Sequence, residues 1–230
     1  MKLIPTLLAH LLTIKFICMK RILFSTFLLF FLVIQSNQVQ AQLGVRASLN
    51  LANATLDPDS AESTDFSSKL GLGIGVFYKL ILSDQLTLQP ELNYMQQGTK
   101  LSGDILGESF ESTFSLNYLQ IPVLFKYSFG DMNATNFFVE AGPYIGIGIG
   151  KEKIESCYGG KCETIENDYD GEDVEGPKPL DYGLQVGVGV NLNKNISVDA
   201  RYLLGLSNLN GDSEGSFKNK AINIGVGYSF

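Results

Sequence analysis

The sequence predicts an all-β protein, because apolar residues alternate with small or polar ones through eight segments of the chain. A β-strand points successive side chains to opposite faces, so each segment is apolar on one face only. Long and short connections follow one another in turn, and aromatic residues gather beside the short ones. Together these observations predict an eight-stranded antiparallel transmembrane β-barrel with up-and-down topology. The segments are residues 43–52, 70–80, 86–94, 118–129, 137–149, 181–190, 196–204 and 220–230.

The clearest alternation lies in the last segment, which reads K-A-I-N-I-G-V-G-Y-S-F. Its isoleucine, valine, tyrosine and phenylalanine residues share one face, and its alanine, asparagine, glycine and serine residues share the other. A soluble sheet can show the same pattern. Its recurrence in every segment favours a closed barrel with lipid outside and a polar interior.

The predicted connections alternate in length along the chain. Bacterial barrels have short periplasmic turns and longer extracellular loops, so we place the short turns and both ends of the barrel domain in the periplasm. The predicted long loops are residues 53–68, residues 98–111, the acidic stretch between 149 and 181, and residues 207–219.

Outward-facing aromatic residues support this orientation. Amphipathic rings favour the boundary between lipid headgroups and water, so a ring of them marks the edge of the membrane. All of them fall on predicted outward faces beside the short turns. They are Tyr78, Phe125, Tyr127, Phe129, Phe137, Tyr228 and Phe230.

Residues 1–41 have the pattern of an N-terminal extension followed by a secretory signal peptide. Basic residues follow Met19, residues 22–34 are mostly apolar, and Val39 and Ala41 are small residues at the positions that signal peptidase reads. We expect translation to start at Met19 and cleavage to follow Ala41, which leaves residues 42–230 as one barrel domain. A retained anchor is the alternative, but the apolar run is shorter than the roughly 20 residues that a spanning helix needs.

Composition excludes several classes of function. A net charge of −7 and a pI near 4.8 argue against a nucleic-acid partner, which needs a basic face. The single histidine, His10, precedes the expected cleavage site. The mature protein would then lack the commonest general base and metal ligand, so we expect no enzymatic activity and no cofactor.

Short motifs in the barrel segments resemble a known family. They are Gly44-Val45-Arg46-Ala47 with Asn50, Gln89-Pro90-Glu91-Leu92-Asn93-Tyr94 with Gly98, Tyr118-Leu119-Gln120-Ile121-Pro122 with Lys126-Tyr127, Glu140-Ala141-Gly142-Pro143-Tyr144, Asp181-Tyr182-Gly183, and Arg201-Tyr202 with Gly205-Leu206. In this order they resemble the PorT-like outer-membrane β-barrel proteins of Bacteroidetes. The resemblance implies an eight-stranded outer-membrane barrel that the barrel assembly machinery inserts through its C-terminal strand. It also implies a link to gliding and type IX secretion.

Charged residues on the predicted inward faces form one candidate site. Charges facing lipid are costly, so these side chains must share the lumen. A salt-bridge network that fills the narrow interior of an eight-stranded barrel is one interpretation, and a small polar pore or proton path is the other. The candidates are Arg46, Glu91, Lys126, Glu140, Asp199 and Arg201, with Lys79 nearby.

The acidic stretch between residues 149 and 181 holds two further candidates. Cys157 and Cys162 are the only cysteines expected after cleavage, and the oxidising compartment favours a disulfide between them over a metal site or redox pair. Glu166, Asp168 and the Asp170-Gly171 pair imitate the start of a calcium loop, but a proline stands where the closing glutamate belongs. A solvated loop, weak calcium binding and contact with a basic partner remain the interpretations.

From these features we expect a non-enzymatic outer-membrane barrel that acts through its loops and turns as a structural, adhesion or secretion-associated component. A narrow channel with a charged lumen is the alternative. An outer-membrane enzyme is disfavoured by the lack of histidine. The expected partners are outer-membrane lipid, the barrel assembly machinery, and a secretion-system or extracellular protein.

Overall fold

The structure is a computed structural model that describes residues 41–56, 65–105, 108–131, 134–169, 178–209 and 217–230. Residues 1–40 of the predicted signal peptide lie outside the described residues, and Ala41 begins the first strand. Within the described ranges, no helix is both long enough and apolar enough to cross a bilayer.

The described chain is all β. Eight of its strands close into an antiparallel ring in the order β1-β2-β3-β4-β5-β8-β9-β10, with β10 pairing back to β1. This confirms the predicted eight-stranded barrel. The described strands are β1 (Ala41–Leu56), β2 (Asp65–Ile81), β3 (Leu86–Ile105), β4 (Glu108–Phe129), β5 (Asn136–Gly148), β6 (Lys151–Tyr158), β7 (Lys161–Asp168), β8 (Leu180–Asn191), β9 (Ile196–Gly205) and β10 (Phe217–Ser229).

The C-terminal strand closes the ring. Its register with β1 runs from Gly44 opposite Ser229 to Leu56 opposite Phe217. The backbone N–H of Phe230 donates to the Leu43 carbonyl at 2.9 Å, and the Asn195 side chain donates to the Ser229 carbonyl at 2.7 Å. The last residues are therefore held both by the neighbouring strand and by a short turn.

The outward face of the ring consists of apolar side chains that no other part of the described chain covers. Ile74 is 65% exposed, and Leu70 is 62% exposed. All seven aromatic residues of the predicted girdle are exposed as well, and Tyr127 and Tyr228 each contact the next aromatic residue on the same face. A belt of exposed apolar side chains this extensive suits lipid rather than water.

Glycines on the inward face make room for large inward side chains. A Cβ on Gly225 would lie 2.2 Å from the guanidinium of Arg46, and one on Gly44 would lie 2.2 Å from the ring of Phe77. Small residues on one strand thus allow long or aromatic residues on the next to reach across the interior.

The strands on one side of the ring run beyond it, where a loop was predicted. β3 continues to Ile105 and β4 begins at Glu108, so the prediction of a loop over residues 98–111 is wrong. Gly98, the first residue of the predicted loop, has φ +140° and lies where the β2–β3 register shifts. A Cβ there would meet the Phe114 carbonyl oxygen at 1.9 Å, so the position requires glycine.

A second departure is the hairpin of β6 and β7, which occupies part of the predicted acidic loop. β6 pairs with the outer end of β4 over Phe110–Ser115, and β7 pairs with β6. The outer ends of β3 and β4 and this hairpin form a four-stranded sheet continuous with the barrel wall. We call this sheet the extension; it comprises residues 98–105, 108–115, 151–158 and 161–168.

Candidate functional site

The six predicted lumen charges all lie buried inside the ring. Arg201 donates from both terminal nitrogens to the carboxylate of Glu91, at 2.8 and 2.9 Å. Its Nε donates to Oε1 of Glu140 at 2.6 Å and lies 2.9 Å from Asp199 Oδ1. Three cations and three carboxylates therefore balance in one connected cluster, which we call the lumen network.

Arg46 and Lys126 complete the lumen network. Arg46 forms an ion pair with Asp199 and donates to the side-chain oxygen of Asn223. Lys126 Nζ lies 3.6 Å from Glu140 Oε2 and 3.8 Å from the centre of the Phe138 ring. Buried charges are tolerated when they are paired and hydrogen-bonded, as these are.

The lumen network crosses the barrel from wall to wall. Glu91 lies on β3 and Arg201 on β9, and four steps separate these strands around the eight-stranded ring in either direction. Gln89 and Asn93 donate to the two oxygens of Glu91 at 2.6 and 2.8 Å. A cavity beside Arg46 and Arg201 has a volume of about 10 Å³, roughly the space of one water molecule.

A second polar layer surrounds Asp181, which is fully buried. Its carboxylate accepts hydrogen bonds from Ser207 Oγ at 2.6 Å, Asn219 Nδ2 at 3.0 Å and Tyr144 Oη at 3.2 Å. Sequence reasoning placed Asp181 on the inward face but left it outside the charge network. Its partners are neutral residues from β5, β10 and the segment after β9, and no sequence spacing marks them.

Tyrosines fix the junction between ring and extension. Tyr169, just after β7, donates to the Asn117 carbonyl at 2.9 Å and packs against Gly148, where a Cβ would lie 2.5 Å from its ring. Tyr94 donates to the Asn117 side chain at 2.9 Å. The hairpin is therefore tied back to the wall at the point where β5 gives way to β6.

The polarity of the sheet inverts at this junction. On the face continuous with the lipid-facing wall, the extension carries ion pairs: Lys153 with Glu166 at 2.7 Å, Lys100 with Glu111 at 2.9 Å, and Lys151 with Asp168 at 3.8 Å. The face continuous with the lumen wall carries the apolar residues of the extension, together with Glu152, Lys161 and Glu163. The apolar residues are Leu101, Phe110, Phe114, Ile154, Tyr158 and Ile165.

The Lys153–Glu166 pair is the shortest ion pair described on the extension. The hydrogen bond to Glu166 raises the pKa of Lys153, and the same bond holds the pKa of Glu166 below its ordinary value of 4.5. Both groups lie in water, where such pairs contribute little to stability.

The hairpin tip holds the predicted cysteines. A disulfide joins Cys157 to Cys162 across the two strands. Between them the two-residue turn Gly159-Gly160 has φ values of +55° and +78°, the conformation of a type I′ hairpin turn. This Gly-Gly pair was the sequence signal that could have revealed β6 and β7.

Neither proposed metal site gains support from this geometry. Glu155 lies beside Cys157 and Cys162, with possible ligand atoms within 4.8 Å of one another, but sulfurs bonded to each other offer no thiolate. Of the calcium-like pattern, Glu166 and Asp168 pair with lysines. The rest of that pattern, from Asp170 onward, lies outside the described residues.

The family of the chain follows from a sequence match over most of its length. The model of the outer membrane protein beta-barrel domain family matches residues 35–211. The chain belongs to this family. It is therefore an outer-membrane β-barrel whose apolar outer face contacts lipid, as the exposed apolar side chains on the outside of the ring indicate.

Several solved outer-membrane proteins are similar to this chain. The attachment invasion locus protein Ail of Yersinia pestis is 14% identical, with 83% of this chain and 99% of Ail covered at a TM-score of 0.40. Neisserial surface protein A is 15% identical, with 83% and 99% covered at 0.39. OprG of Pseudomonas aeruginosa is 12% identical, with 84% and 97% covered at 0.43. No curated protein matches the sequence.

Proposed function

We propose that this protein is a non-enzymatic, non-conducting outer-membrane anchor that presents the extension to a protein partner outside the cell. The observation that carries the proposal is the Arg201–Glu91 ion pair, which spans the interior from β9 to β3. With the lumen crossed by paired charges, the surfaces left for function lie at the ends of the barrel. The extension is the largest described surface at either end.

This proposal includes an orientation and a route of export. The signal peptide would be cleaved after Ala41, and the barrel assembly machinery would insert the ring through β10. The short turns would then face the periplasm and the extension the outside. Support comes from the inversion of polarity, because charged residues such as Lys153 and Glu166 occupy the face that is apolar in the ring, as water requires.

An adhesion-type role is favoured over the secretion role that the resemblance to PorT-like barrels implies. A secretion component would meet its partners at the periplasmic turns. Two of those turns, residues 82–85 and 192–195, contain four residues each and present little surface. The hairpin of β6 and β7 alone contributes two eight-residue strands at the other end.

A channel function is less well supported by the structure of the barrel interior. Solutes would have to displace the bidentate Arg201–Glu91 pair, and breaking a buried pair is strongly unfavourable. Recordings from the refolded protein in planar bilayers test this directly. We expect no conductance steps; steps that change in Arg201→Ala would establish the channel instead.

The adhesion role is tested in a strain that lacks the gene and carries either the wild type or a variant without residues 151–168. Unboiled gel samples first verify that both barrels are folded. We expect the variant to lose retention on protein-coated surfaces and to leave the secreted proteome unchanged. A changed secreted proteome with unchanged retention would replace adhesion with the secretion role.

A further inference from the structure

We propose that the free edge of β7 docks an extended basic segment of a partner protein, which adds to the extension as a further strand. The segment would carry the pattern basic, apolar, polar, basic. This inference rests on the proposed function, because it requires the extension to face a partner outside the cell.

Within the described residues, β7 is an edge strand of the sheet. It pairs with β6 through eight residue pairs, from Lys151 opposite Asp168 to Tyr158 opposite Lys161. Among the described residues no strand pairs with its other edge, and every β7 residue except Asn167 is exposed. An exposed edge offers backbone N–H and C=O groups that an added strand can bind.

The edge is also pre-organised. β6 is held to β4 through Phe110–Ser115, and the hydroxyls of Ser112 and Ser156 lie 3.0 Å apart across those strands. The Cys157–Cys162 disulfide closes the hairpin tip. A strand held in place before binding loses less conformational entropy when its partner arrives, which favours affinity.

The charge of the edge selects a basic partner. β7 carries Lys161 against Glu163, Glu166 and Asp168, a net charge of −2 from one cation and three anions. Glu163 stands opposite Ser156, so its cross-strand neighbour is uncharged. Like charges directly opposite each other are destabilising in a sheet, whereas opposite charges stabilise it. A second copy of β7 also carries −2, so the net charges of the two strands repel each other.

The apolar position of the pattern comes from Ile165. Its side chain is 57% exposed and continues the row that Phe114 and Ile154 begin on the inner face of the extension. An apolar side chain opposite Ile165 would cover it. In an antiparallel partner the residues opposite Glu166, Ile165, Thr164 and Glu163 are then basic, apolar, polar and basic, in that order.

The test uses the full-length barrel in nanodiscs and three labelled peptides: TKITKITK, its acidic counterpart TEITEITE, and TKIPKIPK, whose prolines interrupt strand pairing. Fluorescence anisotropy gives the dissociation constants. We expect TKITKITK to bind at least about tenfold more tightly than either control, with an affinity that falls as salt rises. On binding, the amides of residues 161–168 should exchange more slowly with solvent.

Two charge reversals provide the matched comparison. Glu163→Lys changes the edge strand, and Glu155→Lys makes the same change on β6, one strand away from the edge. We expect Glu163→Lys to weaken TKITKITK binding by roughly two- to fivefold, the upper part of the range for an exposed ion pair, and Glu155→Lys to change it less than about twofold. Equal losses in both variants, or equal binding of the three peptides, would overturn the inference.

Other outcomes separate this inference from the proposed function. If the protein forms concentration-dependent dimers and Glu163→Lys changes the dimer affinity, the edge of β7 binds a second copy of the chain. That result would overturn the proposal of a basic partner segment. Retention that depends on residues 151–168 but is unaffected by Glu163→Lys would also overturn it, while the adhesion role stands. Retention that survives removal of residues 151–168 would refute the adhesion role itself.

Discussion

One strand, β4, runs through two regions of opposite polarity. In the ring, its outward residues are apolar, such as Ile121 and Phe125, and its inward residues include Gln120 and Lys126. In the extension, the outward position of β4 is Glu111, and the inward one is Phe114. Strand alternation is the same in both regions; the surrounding solvent decides which face is apolar. The ring is built for lipid and the extension for water.

The largest expected effect is in the lumen network. Arg201→Ala leaves Glu91 and Glu140 buried without their main partner, which should lower the free energy of unfolding by roughly 3–5 kcal/mol. Urea unfolding in lipid vesicles, followed by the gel mobility of unboiled samples, measures the change. Lys100→Ala, which breaks an exposed pair of the extension, is the control and should lower it by about 1 kcal/mol at most. Similar losses in the two variants would erase the distinction between the regions.

Two exposed isoleucines, one in the ring and one in the extension, test whether lipid or water surrounds each region. Ile74 in the ring is 65% exposed and Ile165 in the extension is 57% exposed. Ile74→Lys places a charge against lipid and should destabilise the barrel by about 2–4 kcal/mol near the midplane. Ile165→Lys meets water and should change stability by less than about 0.5 kcal/mol. The same unfolding measurement applies, and equal effects would contradict the assignment of lipid to one region only.

Loss of the disulfide should destabilise the extension and leave the ring unchanged, with a smaller effect than the substitutions above. The Cys157–Cys162 bond closes a short loop, so its removal should weaken the hairpin by about 2 kcal/mol. Hydrogen exchange over residues 151–168 should become faster in Cys157→Ser/Cys162→Ser, while exchange in the ring strands stays unchanged. Faster exchange throughout the ring would show that the two regions unfold together.

The smallest expected effect is the pH dependence of the Lys153–Glu166 pair. The pKa of Glu166 is lowered in the folded protein by the hydrogen bond from Lys153. The stability from this bond is therefore present above the unfolded pKa and is lost as pH falls through the lower, folded pKa. Carboxyl chemical shifts should report a titration midpoint below 4.5 for Glu166, and Lys153→Ala should move it upward. An unchanged midpoint in that variant would mean that the pair does not persist in solution.

The ring was predictable because a two-residue period with one apolar face in every strand fits few folds other than a membrane barrel. The burial of the six charged residues followed from the same period. The pairing of Arg201 with Glu91 was not predictable, because it depends on which strands lie opposite each other and at what height. The extension was missed for a physical reason: charges replace apolar residues on its outer face, so the pattern of a lipid-facing strand is absent there.

The extension is expected to face the outside of the cell and the short turns the periplasm, and site-specific labelling of cysteines distinguishes this orientation from the reverse. Single cysteines replace Thr164 on β7 or Ser83 in the first short turn, each in a protein whose native Cys157 and Cys162 are serine. Intact cells then receive a maleimide that does not cross the outer membrane. We predict labelling of Thr164→Cys on intact cells, and of Ser83→Cys only after lysis. Labelling of Ser83→Cys on intact cells, with Thr164→Cys protected, would contradict the account.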